Sequence, residues 1–218
     1  MSNIILTTTV YTKLNKEFLY QTNSQERVDI YLKSIRQWLT KTKLNIIVVE
    51  NSGYRFEELD DEREEYRGRF EVISFNEDDI DEADYLIDNT SKGASEMFAI
   101  HYAFYNSTII QANRFFIIKI TGRYFIPDFE EYLNQYNLDD YDCLRQNDSS
   151  MCEIVGSNYN AFEHIFNLQL LTETNEYYGH VEDIWKYRIS KCNHIFVLRT
   201  FYIEPTRRGG WDGFCYCL

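Results

Sequence analysis

Phe115-Phe116-Ile117-Ile118-Lys119-Ile120-Thr121-Gly122-Arg123-Tyr124-Phe125 is the stretch whose reading decides the fold. Four apolar residues, 115 to 118, run without a polar break, as in a strand covered on both faces of an α/β sheet. Lys119, Thr121 and Arg123 then fall at a spacing of two. If the strand continues to Arg123, all three side chains share one side. Gly122 has no Cβ and lets a ligand approach the backbone. Two cations and a hydroxyl at the carboxyl end of a central strand suit a diphosphate, because ligands of open α/β sheets lie at that edge. A plainer reading stands beside it: Lys119 and Arg123 leave the core there to meet solvent or local carboxylates.

On the N-terminal side, residues 3–10 form a β-rich run that holds Thr7-Thr8-Thr9. Thr22-Asn23-Ser24-Gln25 reads as a capping box, and Val28, Leu32, Ile35 and Leu39 recur at helical spacing. Residues 44–49 are a second buried strand, ended by Glu50-Asn51-Ser52-Gly53; 56–66 read as an acidic, exposed helix and 70–75 as a third strand. Strand–helix–strand–helix–strand is the start of a doubly wound α/β fold with a mostly parallel sheet flanked by helices. The acidic run 76–89 takes no assignment. Ser91-Lys92-Gly93-Ala94-Ser95-Glu96-Met97 reads as a loop feeding a helix N-terminus, which offers backbone N–H groups to an anion. Equally, Ser91 or Ser95 caps that helix.

Beyond the central stretch, Pro127 and Asp128 open a helix over 129–136; 151–155 reads as a strand and 159–171 as a helix. A helix enters near Val181 within 177–189, and 194–200 is a late strand. Arg207-Arg208-Gly209-Gly210-Trp211 is a basic, glycine-rich loop. No repeat or second hydrophobic core interrupts a single domain spanning 1–218.

Composition narrows the function. The 218 residues carry a formal charge of −13, which argues against a duplex nucleic-acid binder. Acid clusters at 57–65 and 77–88 read as solvated faces. Aromatic residues make up 17 %, enough to fill a core and line a groove for sugars or bases. Five cysteines with no CxxC spacing suggest reduced thiols and a cytoplasmic protein. Residues 3–10 lack the features of a signal peptide, and no apolar run approaches a transmembrane length of ~20 residues. No GxGxxG follows the first strand, no GxxxxGK[ST] exists, and neither a His-Glu-x-x-His nor a Gly-x-Ser-x-Gly is present.

Taken in order, the Thr7-Thr8-Thr9 strand end, Glu50-Asn51, the loop 91–96, Lys119-Ile120-Thr121-Gly122-Arg123-Tyr124 and Glu182-Asp183 resemble a GT-A-type nucleotide-sugar glycosyltransferase, of the small kind found in glycan and capsule gene clusters and in large viruses. The resemblance implies one GT-A-like domain, with 1–110 the nucleotide-binding half and 111–218 the acceptor-binding half. It implies transfer of a hexosyl or pentosyl unit from a nucleotide-diphosphate donor, a UDP-sugar first, to a glycan or glycoconjugate acceptor. A non-catalytic binding module of the same fold is the alternative, and a nucleotidyltransferase a third.

By the same resemblance, Thr8, Thr9 and Val10 meet the nucleoside, and Glu50 and Asn51 lie beside base or ribose. Lys92, Gly93 and Glu96 close over nucleoside or phosphates, and Lys119, Thr121, Gly122 and Arg123 take the diphosphate. Such enzymes often keep an Asp-x-Asp at that last place for a divalent metal, Mn or Mg; this sequence departs from it. Fixed cations can stabilise a leaving diphosphate as a metal does, with Arg207 or Arg208 assisting, so the cofactor is left open between none and a divalent ion. Asp79-Ile80-Asp81 is a literal match inside an acidic run. Glu182 or Asp183, with His180 nearby, is the candidate base; first-turn helix acids are the competing explanation.

Overall fold

A computed structural model describes residues 2–170, 180–210 and 212–218. Nine strands are found among them: β1 (Ser2–Thr8), β2 (Asn45–Glu50), β3 (Phe70–Ser74), β4 (Phe116–Thr121), β5 (Cys143–Arg145), β6 (Ile154–Ser157), β7 (Ile195–Val197), β8 (Tyr202–Arg207) and β9 (Phe214–Cys217). The helices are α1 (Ser24–Lys41), α2 (Asp60–Glu65), α3 (Lys92–Asn106), α4 (Thr108–Ala112), α5 (Phe129–Leu133), α6 (Phe162–Phe166) and α7 (Val181–Ser190).

Seven strands form one sheet in the order β3-β2-β1-β4-β6-β5-β7. Neighbours are parallel except β6, which runs antiparallel to both β4 and β5. The fold is thus α/β with a mostly parallel sheet, as the strand pattern predicts. Period-two alternation divides its core. Ile4, Leu6, Ile46, Val48, Ile118 and Ile120 meet Tyr31, Ile35 and Trp38 of α1. Ile5, Ile47, Val49 and Ile117 meet Met97 and Ile100 of α3 and Trp185 of α7. Full burial of each such aliphatic side chain contributes about 1.5–3 kcal/mol. Because α1 and α3 cover opposite faces, the strand order reverses between β1 and β4. The carboxyl ends of those two strands are a topological switch point.

Several local expectations change. Strand β4 stops at Thr121, and residues 122 and 123 turn, so Arg123 does not share a side with Lys119 and Thr121. Lys119 follows Ile117 onto the α3–α7 face, whereas Arg123 lies near Tyr31 of α1. The helix expected from Phe56 cannot start there: Phe56 is buried in a left-handed conformation (φ 49°), and α2 begins at Asp60. Strand β6 lies three residues beyond the start of the expected 151–155 run, because Ile154 pairs with Ile120. The expected 159–171 helix is shorter: a 3-10 turn leads into α6, which ends at Phe166 because Asn167 is extended, and Leu171 lies outside the described residues. So do 177–179 and Trp211. Strand β5 and the β8–β9 hairpin are additions; of the basic, glycine-rich segment, Arg207 ends β8 and residues 208–210 follow it into the connection to β9.

Candidate active site

A cavity of about 750 Å³ opens at the switch point. Its walls come from the β1 exit, the 11–19 loop, the β2 exit, the start of α3, the β4 exit, residues 152 and 153, the start of α7 and the β8–β9 turn. Thr8, Thr9, Asn51, Lys92, Gly93, Glu96, Thr121, Arg123 and Glu182 line it. Val10, Glu50, Lys119, Gly122 and Asp183 do not, and each has another place.

Glu50 is fully buried. It accepts hydrogen bonds from the backbone of Val10 (2.9 Å), Ser52 (3.0 Å) and Tyr54 (2.8 Å) and from the Ser52 hydroxyl. Burial pushes its carboxyl upward, and the hydrogen bonds oppose that shift. Its work is to tie the β1 and β2 exits together, instead of meeting a base or ribose. Val10 is likewise a core residue. Gly122 allows close approach, but by the neighbouring strand: an added Cβ would sit 2.7 Å from both the Thr7 carbonyl oxygen and Thr8 Cγ2.

Lys119 is completely buried, with its ammonium 2.9 Å from Glu96 Oε1. It donates to the Cys152 carbonyl (2.7 Å) and to Thr121 Oγ1 (3.3 Å), and lies 5.2 Å from the centre of the Trp185 ring. Burial is the largest single influence and works against this charge, but the charge and hydrogen bond of Glu96 together with Cys152 and Glu153 hold the pKa above the usual lysine value. Lys119 therefore does not reach a ligand in the cleft. It fixes Glu96, whose Oε1 also accepts from Thr7 Oγ1 at 2.6 Å. Burial pushes the Cys152 thiol beside it well above its ordinary value, which leaves it protonated and a poor nucleophile.

Helix α3 begins at Lys92, inside the stretch whose sequence reads as a loop. Ser91 is its N-cap and accepts from Ala94 N, so Lys92 and Gly93 are its first residues. Ser95 instead donates to Glu77 (3.0 Å), which also accepts from the Asn51 amide. Thr9 Oγ1 donates to Asn51 Oδ1 at 2.6 Å. This chain of bonds fixes the β1 and β2 exits against α3. Gly93 serves contact between helices: a Cβ there would lie 2.8 Å from Val181 Cβ.

Charge is inverted inside the cavity. Lys13, Lys16, Arg27, Lys92, Arg123 and Arg208 line it against Glu17, Glu77, Glu96, Glu153 and Glu182, whereas the whole chain has 22 cations and 35 acids. Lys13 pairs with Asp78 (2.6 Å), and Arg208 with Glu153. Lys16, Arg27, Lys92 and Arg123 make no ion pair among the described residues. Lys16 donates to the carbonyls of Leu86 and Asn89, and Arg27 to those of Thr9 and Gln21. These two brace the loops around the cavity.

Lys92 and Arg123 are the open pair. Lys92 donates to the Phe18 carbonyl (3.1 Å), and Arg123 to Gln21 Oε1 (2.9 Å) and the Arg207 carbonyl (3.3 Å). Both meet the β8–β9 turn at adjacent glycines. A Cβ on Gly209 would be 2.6 Å from Arg123 Nη2, and one on Gly210 would be 2.8 Å from Lys92 Nζ. Side chains at 209 or 210 would cover these charges. Burial lowers the Lys92 pKa; Glu182 and Glu96 raise it from beyond ion-pair distance, and Arg123 lowers it again. Two neighbouring cations without an ion pair among the described residues thus face this partly buried cavity.

Of the candidate bases, Glu182 lines the cavity and is half-buried; Asp183, next to it on α7, is exposed outside it. His180 also lines the wall, 6.2 Å from the Phe18 ring centre. Asp79 and Asp81 are exposed and away from the cavity, and the Asn76 amide bonds Asp79 (3.3 Å). Among the described residues no three His, Cys, Asp or Glu side chains gather as a metal-ligand set. At the β4 exit Thr121 lines the cavity, and the Lys119 ammonium lies buried behind it. Arg27 and Lys16 had no sequence signal as site residues: the first sits on the apolar stripe of α1, and the second in a loop without a motif. Among the described residues no helix is long and apolar enough to cross a membrane.

No family model and no curated protein matches the sequence. Among solved structures, the chain is similar to a putative nucleotide-diphospho-sugar transferase from Desulfovibrio desulfuricans G20, at 13 % identity over 91 % of this chain and 79 % of that one, with a TM-score of 0.48. It is also similar to the galactosyltransferase LgtC in complex with donor and acceptor sugar analogues, at 10 % identity over 90 % and 73 % of the two chains, with a TM-score of 0.46. An active-site mutant of LgtC gives 8 % identity, 90 % and 72 % coverage, and a TM-score of 0.47. Likeness at this level carries no chemistry over to this chain.

Proposed function

We propose that the protein is a glycosyltransferase that uses a nucleoside-diphosphate sugar, with UDP-sugars the first donors to test. The observation that carries this reading is the pair Lys92 and Arg123 at the topological switch point, neither of which makes an ion pair among the described residues. A diphosphate supplies the missing negative charge. Its nucleoside then extends toward Thr8, Thr9 and Asn51, with Tyr11 as an aromatic surface. The sugar lies toward Glu96, Cys152 and Glu182, where Lys119 has already fixed one carboxylate. In this reading residues 1–110 supply most of the nucleoside contacts, while 111–218 supply Arg123, the base and the acceptor side.

The reaction breaks the bond between the anomeric carbon and the diphosphate oxygen, and the electron pair leaves with the phosphate. Lys92 and Arg123 stabilise the charge that accumulates there, as preorganised donors in a partly dry site do. An acceptor hydroxyl bonds to the anomeric carbon, and Glu182 takes its proton. No step is assigned to a metal in this reading, in which Lys92 and Arg123 carry the charge of the leaving diphosphate.

The test is nucleoside-diphosphate release from a panel of nucleotide sugars, with and without Mn²⁺ and a mixed glycan acceptor. Turnover of at least one donor is expected. Binding without turnover under any condition would favour the non-catalytic module, and absence of binding to every nucleoside diphosphate would overturn the reading altogether.

A further inference from the structure

A second groove, of about 420 Å³, leaves the first cavity at Arg123, which lines both. Ile30, Lys33, Ser34, Gln37 and Lys41 form one wall, a single face of α1. At 1.5 Å per residue that wall is about 16 Å long. Phe125 and Pro127 lie along it, and the β8–β9 hairpin closes the other side with Pro205, Arg207 and Phe214.

Three observations make this groove a site. Its cations are Lys33, Lys41, Arg123 and Arg207, and its one carboxylate, Glu204, is taken by Lys33. Lys41 and Arg207 make no ion pair among the described residues; they stand 5.4 Å from the Phe125 ring centre and 5.8 Å from that of Phe214. Ser34 is 2 % exposed, and its hydroxyl has no hydrogen-bond partner among the described residues. A helical serine usually bonds the carbonyl four residues back when nothing else is offered, and a buried hydroxyl without a partner costs free energy.

We infer that this groove binds an acidic saccharide, a glycan bearing uronate carboxylates, and that it is the acceptor-side subsite of the enzyme; the acceptor role rests on the glycosyltransferase reading, the binding does not. Carboxylates meet Lys41 and Arg207. Ring faces of Phe125 and Phe214 and the two prolines pack against the apolar faces of pyranose rings. Ser34 and Gln37 meet hydroxyls. A long nucleic acid is disfavoured by the chain's charge of −13 and by the short groove.

The probe is trigalacturonate, titrated calorimetrically into the full chain alongside neutral maltotriose, inorganic phosphate, pentathymidylate and UDP. Trigalacturonate is expected to bind, to weaken with salt, and to exceed maltotriose by about tenfold or more. Lys41→Glu and Arg207→Glu are each expected to weaken it by about fivefold or more, and Lys41→Glu to leave UDP binding unchanged, which also reports an intact fold. Equal binding of the two trisaccharides, or affinity indifferent to both charge reversals, would overturn the inference. Tighter binding of phosphate or pentathymidylate than of trigalacturonate would overturn the saccharide class. If trigalacturonate binds and UDP does not, the groove stands and the donor reading fails; the converse result removes the groove alone.

Discussion

Replacing Lys119 with Met separates a structural role from a ligand-binding one. The sequence alone makes Lys119 a diphosphate ligand, so its loss should cost phosphate affinity. In the structure its ammonium is fully buried, 2.9 Å from Glu96 and 2.7 Å from the Cys152 carbonyl. Methionine fills a similar volume but strands the Glu96 carboxylate and leaves that carbonyl without its donor. Breaking a buried pair from one side costs about 3–5 kcal/mol. For a domain of this size each kcal/mol moves Tm by about 2–4 °C, so Lys119→Met should melt about 6–20 °C lower. The double variant Lys119→Met/Glu96→Gln should recover part of that loss, because the uncompensated carboxylate is gone. Urea denaturation of wild type, both single variants and the double variant gives the cycle. UDP affinity of Lys119→Met, measured below its melting range, should stay within about threefold of wild type. A destabilisation under about 1 kcal/mol, the range of an exposed pair, or a selective loss of UDP over uridine, would refute the assignment.

Three further outcomes follow from particular contacts. Gly93→Ala drives a methyl into Val181 and should cost about 1–3 kcal/mol by forcing α3 and α7 apart; a melt unchanged from wild type would contradict that packing. Glu182→Gln should lower turnover by about a hundredfold or more with donor KM little changed, whereas Asp183→Asn, outside the cavity, should be near wild type; steady-state kinetics showing the reverse would move the base. Burial lowers the Lys92 pKa, so its charge is lost on raising pH before that of an ordinary lysine. UDP affinity should therefore fall, as pH rises, below the pH at which an ordinary lysine of pKa about 10.4 loses its charge, with a proton taken up on binding there, and Lys92→Arg should flatten the profile. The linkage to stability has the opposite sign: the unfolded chain holds that proton more tightly, so the penalty for burying the ammonium fades as pH rises.

The strand–helix succession and the mostly parallel sheet covered by helices are legible in the sequence because they depend on local patterns, whereas the strand order emerges only from the pairing. Unbroken apolar runs at 44–49 and 115–118 mark covered strands, and the spacing of Val28, Ile35 and Leu39 marks α1. What one strand's sequence does not show is where it stops. Two residues beyond Thr121 were enough to turn Arg123 toward α1, while Lys119 faced α3 and α7. Partner choice was equally hidden. Glu96 and Lys119 lie 23 positions apart and look like two ligands until packing makes them one ion pair. Gly122 and Gly93 were singled out for good reason, since both sit at close approaches, yet the approaching groups are Thr7, Thr8 and Val181. Short elements such as β5, three residues long, carry too little pattern to be read.

The central claim is that Lys92 and Arg123 seat a diphosphate. Calorimetric titration of UDP and of uridine into wild type, Lys92→Ala and Arg123→Ala tests it most directly. A hydrogen bond to a charged group contributes about 1.5–3 kcal/mol. Each variant should therefore lose about ten- to a hundredfold in UDP affinity and keep its uridine affinity within about twofold. Equal losses for both ligands, or UDP binding that survives both substitutions, would contradict the account.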